Sequence, residues 1–152
     1  MIIYILTWRS IIAVLSMTAQ YALRALVYVA GKSDEHPVLA REIAAKTGVP
    51  AQYLSHILRD AVREGLLESA RGVGGGFRLA KPAHKIKLIQ VLAPFDDVLD
   101  RSRCPFGQPR CHDDHPCGFH EFWKPISRAY REMLEKVTLG DVGMEGLGGR
   151  GR

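Results

Sequence analysis

The chain is poor in cysteine, has no apolar run long enough to cross a bilayer, and carries no nucleotide-binding glycine motif. Its three cysteines all fall between residues 104 and 120. They are therefore not spread in pairs as a disulfide framework requires, and their odd number argues against a closed one. Clustered thiols suit a reducing compartment, so a cytoplasmic location is expected. The stretch at 1–16, MIIYILTWRSIIAVLS, is interrupted by Arg9 and is shorter than the ~20 apolar residues that span a membrane. It also lacks a basic leading segment and a small-residue cleavage site, so it fits a signal peptide poorly, and no membrane partner is expected. No Gly-Lys-Ser/Thr follows the glycine run at 72–76, which argues against a phosphate-binding loop. There is no dinucleotide fingerprint, no Ser/His/Asp set and no catalytic carboxylate pair, so the chain is not expected to be an enzyme.

What is present suits a small globular protein. At 152 residues and 47% apolar content, one domain with a real core is expected, with room for an added helical arm. The net charge of +5 fits a polyanionic partner without proving one. For residues 1–16 two readings stand: an added helix or strand packed on the domain or a membrane, or an upstream extension with the natural start at Met17. The second is preferred on the strength of a family resemblance given below, and the segment is set aside from the fold.

From Thr18, apolar residues at Tyr21, Ala22, Ala25, Leu26 and Val29 recur on a helical period, and Gly31 is expected to cap the helix. A second helix is expected over Leu39–Lys46, ending at Thr47-Gly48-Val49-Pro50. A third begins near Pro50, where a missing N–H does no harm, carries Tyr53, Leu54, Ile57, Leu58, Ala61 and Val62 at helical spacing, and ends at Gly65. Two helices joined by a tight glycine turn form a helix-turn-helix. Leu66–Arg71 and Phe77–Ala80, around the Gly72–Gly76 turn, read as a hairpin that presents Arg71 and Arg78. A helix-turn-helix followed at once by a hairpin is a winged helix. A strand at Ile86–Leu88 and a helix over Leu88–Leu99 that Pro94 breaks or kinks follow. Later, Phe119, Phe122, Trp123, Ile126, Tyr130, Met133, Leu134 and Val137 form an amphipathic stripe, with the regular helix starting near Lys124 because of Pro125. Residues 18–80 already form a compact unit, so this stripe is expected to pack on a second copy of the chain. The glycine-rich tail from Gly140 is expected to be disordered.

The cysteines are spaced C-x6-C-x5-C at Cys104, Cys111 and Cys117, and His120 closes the run as C-x2-H. Thiolates brought together in a loop rich in Pro and Gly suit a metal or an iron–sulfur cluster. The spacing alone leaves zinc open, and the plainest alternative is three unrelated thiols on a surface loop.

Thr18-Ala-Gln-Tyr-Ala-Leu-Arg-Ala-Leu, Ile43-Ala-Ala, Val49-Pro50, Tyr53-Leu54, Gly65-Leu66-Leu67, Arg71-Gly72, Gly75-Gly76-Phe77-Arg-Leu-Ala and Cys117-Gly-Phe-His120-Glu-Phe-Trp123 together resemble the Rrf-two family of bacterial winged-helix regulators. The likeness is to its iron–sulfur branch, of the IscR and NsrR type, and it covers about residues 17–142. The resemblance implies a mainly α fold with a small β-hairpin wing: a winged helix-turn-helix plus a C-terminal dimerisation helix. Carried onto this chain, that gives a DNA-binding domain at 17–82, a linker strand and helix at 83–103, a cluster loop at 104–120, a dimerisation helix at 121–139 and a tail at 140–152. It also implies a homodimer and an iron–sulfur cluster held by Cys104, Cys111 and Cys117, with His120 at the position of a histidine ligand in IscR-like members. The first interval is six residues, where five is common in IscR and NsrR, so the two-iron and four-iron forms both stay open. Gln20 stands where NsrR-like members place an acidic ligand, which makes His120 the leading fourth donor. His112, Asp113, Asp114, His115 and an exogenous ligand are the alternatives, and a capping or packing role is the other reading of His120.

For double-stranded DNA, the third helix is expected in the major groove. Gln52, Tyr53, Ser55 and His56 form its contact set, Arg59 lies further along, and Arg71 reaches phosphate or minor groove from the wing. A dimer implies a near-palindromic operator. Affinity for it would be set by the cluster, which senses redox, nitric oxide or iron status. Two alternatives are carried: a zinc-stapled or cluster-free winged-helix regulator with another trigger, and a small iron–sulfur electron carrier.

Overall fold

A computed structural model describes residues 15–32, 36–96 and 111–143. Helix α1 spans Met17–Lys32, α2 Ala40–Thr47, α3 Ala51–Arg63, α4 Leu88–Leu92 and α5 His120–Lys136. The antiparallel hairpin pairs β1, Leu67–Ala70, with β2, Gly76–Leu79. The fold class is the one the sequence implies, mainly helical with a two-stranded wing.

Helix α1 is the centre. Ala19, Ala22, Ala25, Leu26 and Val29 line one buried face, and Val27 and Tyr28 extend the burial around its second half. Alanine on three of these positions lets neighbouring backbones come close, and α2, α3, β2 and α4 all pack on this helix. The Tyr28 hydroxyl, buried with its ring, donates to Glu42 Oε1 at 2.7 Å, which satisfies the polar tip of an otherwise apolar side chain. At the start of α1, Ser16 accepts from Ala19 N at 3.1 Å, the N-cap geometry expected of a serine. Its own N–H donates to Asp96 Oδ2 at 2.5 Å, and its hydroxyl donates to the Phe95 carbonyl at 3.2 Å. Ser16, the last residue of the N-terminal extension, thus ties α1 to the turns that follow α4. The rest of that extension, residues 1–14, lies outside the described residues.

The helix-turn-helix is closed by backbone geometry. Gly48 sits in the left-handed region at φ +67° and donates to Ala44 O, and Pro50 precedes α3 as its N-cap. Helix α3 buries Leu54, Ile57, Leu58 and Ala61 on one face, each large side chain contributing about 1.5–3 kcal/mol. It ends in a Schellman motif, with Leu66 N donating to Ala61 O, Gly65 N to Val62 O and Gly65 at φ +69°.

Five expectations are corrected. Gly31 does not end α1; the helix runs through it to Lys32. Residues 86–88 make no strand but a single bridge, Lys87 to Thr138, with Leu139 N donating to Ile86 O at 2.7 Å. Helix α4 stops at Leu92, since Pro94 has no N–H to offer Gln90 and turns take over. Helix α5 starts at His120 and absorbs Pro125, leaving one intrahelical bond, to the Glu121 carbonyl, unmade. The tail expected from Gly140 opens with a packed 3-10 turn, Leu139–Asp141, with Leu139 buried. There Thr138 donates to Asp141 by its hydroxyl and its N–H, bonds that hold the Asp141 carboxyl below its ordinary range. A second small core of Ala19, Leu88, Leu92 and Leu134 fastens the C-terminal half of α5 to α1 and α4.

The glycines of the wing have different duties. Val38 pairs with Phe77 through two 2.8 Å backbone hydrogen bonds. This brings the Val38 carbonyl so close that a Cβ on Gly76, at φ +143°, would stand 2.7 Å from its oxygen. Val73, at the tip, is fully exposed. Gly76→Ala should therefore lower unfolding free energy by about 1–3 kcal/mol, and Val73→Ala should change it by less than about 0.5 kcal/mol, as measured by urea denaturation.

Candidate nucleic-acid interface and metal centre

Of the residues that the sequence proposes for DNA contact, all but Arg71 lie together on α3. With Leu54, Ile57, Leu58 and Ala61 turned inward, the 3.6-residue period leaves Gln52, Ser55, His56, Arg59 and Arg63 on the opposite side, and all five are exposed. Ser55 donates to the Gln52 carbonyl at 2.9 Å. Arg59 Nη2 donates to His56 Nδ1 at 2.7 Å, so the second pair is preset as one unit. Tyr53 sits at the flank of this face, its ring 5.7 Å from that of Tyr21 and tilted by 60°. Arg24 in turn lies over Tyr21, 5.3 Å from the ring centroid. Sequence reading missed this Tyr53–Tyr21–Arg24 stack, which joins α3 to α1. The i, i+3 spacing of Tyr21 and Arg24 gives half of it, but the step to Tyr53 is tertiary.

The two wing arginines differ. Arg78 stands opposite Glu68 in the hairpin register and donates to Glu68 Oε2 from Nε at 3.0 Å and Nη2 at 2.8 Å. Arg71 is exposed at the edge of the tip and has no ion pair among the described residues, which leaves its guanidinium available to a phosphate.

The described part of the cysteine loop, from Cys111, leads directly into α5. Cys111 Sγ lies 3.2 Å from His120 Nδ1. His120 is the first residue of α5 and is buried, 8% exposed. Its other ring nitrogen, Nε2, is 3.1 Å from Asp113 Oδ1, and Lys124 Nζ donates to the same oxygen at 2.6 Å. The Lys124 hydrogen bond, followed by its charge, holds the Asp113 carboxyl below the usual range. Cys117 is exposed, and its carbonyl accepts from His120 N at 3.0 Å. Of the alternative donors, His112, Asp114 and His115 are exposed, and Gln20 is engaged elsewhere, donating to the Leu15 carbonyl at 3.0 Å. Cys104 lies outside the described residues. Among the described residues no three His, Cys, Asp or Glu side chains form a ready metal set.

The donors that are described fit a thiolate-held metal group. Two donors of one tetrahedral ion with bonds of about 2.3 and 2.0 Å stand about 3.5 Å apart, within a few tenths of an ångström of the Cys111–His120 distance. A histidine ligand normally gives its second ring nitrogen to a carboxylate or carbonyl, and the Asp113 carboxylate stands 3.1 Å from that nitrogen of His120. Sequence reading offered Asp113 only as a rival ligand and missed Lys124; its place four residues after His120, on the same helix face, was the available clue.

Helix α5 also carries an uncovered apolar face. Phe122 and Ile126 are 74% and 58% exposed, with Phe119 and Met133 alongside them, while Leu134 faces the small core. No helix among the described residues is long and apolar enough to cross a membrane.

A family model described as Rrf2, an iron-dependent transcriptional regulator, matches residues 15–145. The HTH-type transcriptional regulator IscR of Vibrio campbellii is 32% identical over 128 residues, covering 84% of this chain and 76% of that protein. Its namesake in Klebsiella pneumoniae is 31% identical over 128 residues, covering 84% and 78%. Among solved structures, CymR, the global cysteine regulator of B. subtilis, matches with a TM-score of 0.68 at 26% identity, covering 84% of this chain and 93% of that one. T. potens IscR matches with a TM-score of 0.67 at 23% identity, covering 84% and 83%, a likeness of fold. These relatives are regulators of transcription and not enzymes. The chain belongs to the Rrf2 family of winged-helix transcriptional regulators.

Proposed function

We propose that this regulator binds a near-palindromic operator as a homodimer, and that its operator affinity is set by an iron–sulfur cluster held by Cys104, Cys111, Cys117 and His120. The observation that carries the reading is the approach of Cys111 Sγ to His120 Nδ1 at the first residue of α5. The family description, iron-dependent regulator, and the IscR relatives support it. When bound, such a cluster supplies a centre that reacts with oxidants or nitric oxide and that depends on iron supply.

The residues of the chain divide the work. Gln52 is suited to bidentate contact with adenine; Tyr53, Ser55, His56 and Arg59 complete the face that enters the major groove, and Arg71 contacts phosphate from the wing. The uncovered Phe122–Ile126 face of α5 supports pairing with a second copy, which sets the half-sites about 34 Å apart or a multiple of it. His120 belongs at once to the loop and to α5. Ordering of Cys111, Cys117 and His120 therefore fixes the first turn of α5, and the core of Leu134 with Ala19 carries its position to α1 and so to α3. A coupling of about 1–3 kcal/mol would change operator affinity about 5- to 150-fold. A cytoplasmic location follows from this role.

A second reading keeps the fold and the DNA-binding role but replaces the cluster with zinc or with thiol chemistry at Cys111 and Cys117. It is favoured by the likeness to CymR, a global cysteine regulator, and by the two free thiols. A small iron–sulfur electron carrier has no comparable support.

Two outcomes are expected. Anaerobically, Cys111→Ala and Cys117→Ala should bind operator with an affinity at least about 5-fold different from that of the cluster-loaded protein in gel-shift titrations; identical affinities overturn the cluster mechanism. Gln52→Ala should lose about 1–3 kcal/mol at one base position and relax selectivity there. Arg71→Ala should instead weaken all sequences alike and flatten the salt dependence by about one unit.

A further inference from the structure

Asp113 is the anchor of the described part of the cysteine loop. One of its oxygens, Oδ1, takes both His120 Nε2 at 3.1 Å and Lys124 Nζ at 2.6 Å. His120 and Lys124 stand four residues apart on α5, so two side chains of one helix face close on a single carboxylate oxygen of the loop. An ionised carboxylate only accepts hydrogen bonds, so the ring nitrogen that faces it carries the proton. In the neutral ring, Nδ1 then keeps its lone pair, and Nδ1 is the atom 3.2 Å from Cys111 Sγ. A thiol at Cys111 can donate to that lone pair, and the same lone pair is what an imidazole offers to a metal.

We propose that Asp113 is a positioning residue that selects the Nε2–H tautomer of His120 and so presents Nδ1 on the Cys111 side of the loop, with Lys124 latching Asp113 in place. The consequence for the cofactor rests on the reading of His120 as a ligand; the tautomer does not. The competing account is an exposed Asp113–Lys124 ion pair of little energetic weight, with His120 merely adjacent. The two differ in burial. Asp113 is 68% exposed, so the ion pair stands in water, whereas His120 is almost sealed off and finds among the described residues only Cys111 and Asp113 for its ring nitrogens. Carboxylate partners of this kind fix the ring orientation and raise the basicity of the free nitrogen, and their loss typically weakens metal binding about 10- to 100-fold.

The test uses the full chain with nitrogen-15 in its histidines. Ring-nitrogen spectra of metal-free, reduced protein report the tautomer without any cofactor. The wild type should show His120 as Nε2–H. Asp113→Ala should give a mixture of tautomers or Nδ1–H, and Asp113→Asn, whose side-chain carbonyl still accepts a proton, should restore the Nε2–H form. After anaerobic loading, iron release to a chelator should be about 10-fold faster in Asp113→Ala and close to wild type in Asp113→Asn. Unchanged His120 ring shifts in Asp113→Ala overturn the proposal; changed ring shifts with equal release rates in all three proteins uphold the tautomer and overturn the reading of His120 as a ligand. If the wild type takes up no iron, the cluster reading falls by itself, and the ring spectra still decide for or against Asp113.

Discussion

The close packing of small residues on α1 is the constraint on which the rest of the molecule depends. Ala19, Ala22 and Ala25 are fully buried, and larger side chains there would push apart the helices that meet on this face, since cores of this density tolerate little added volume. Through this one helix the recognition helix α3, the wing strand β2 and the short α4 share a common support. The last turns of α5 reach it through Leu134 and Ala19. The exposed face of α3 and the start of α5 are thus joined through packed side chains on α1.

The two ends are built differently. On α3 the exposed polar side chains pair with near neighbours on the same helix, as Arg59 does with His56, so those partners can be exchanged at low cost. At the loop, His120 is buried and both ring nitrogens are engaged. One end is open and adaptable; the other has a preset donor beside a thiol.

Much of the fold was legible because its determinants are local. Gly48, Pro50 and Gly65 mark helix ends by backbone chemistry, the period of Leu54, Ile57, Leu58 and Ala61 fixes which way α3 faces, and the hairpin follows from two short apolar runs around glycines. The readings that failed depended on contacts distant in sequence. Gly76 looked like part of a flexible tip, whereas it is where the Val38 backbone closes on the wing. Pro125 suggested a later start to α5, but the first turn is held by His120 against Cys111 and Asp113. Gly140 and Asp141 read as the start of a tail, but they belong to a 3-10 turn that Leu139 N ties to the Ile86 carbonyl. At the candidate site, the cysteines and His120 announced themselves by residue type and spacing. The Asp113–Lys124 latch did not, because a carboxylate and a lysine eleven residues apart are ordinary surface residues until the loop folds back on the helix.

The measurement that bears most directly on the central claim is the iron, acid-labile sulfide and zinc content of the full chain purified without oxygen, together with its visible absorption spectrum. The account predicts iron and sulfide in near-equal amounts and absorption in the visible. Zinc alone, or no metal and three free thiols, would contradict it and leave a winged-helix regulator that answers to a different trigger.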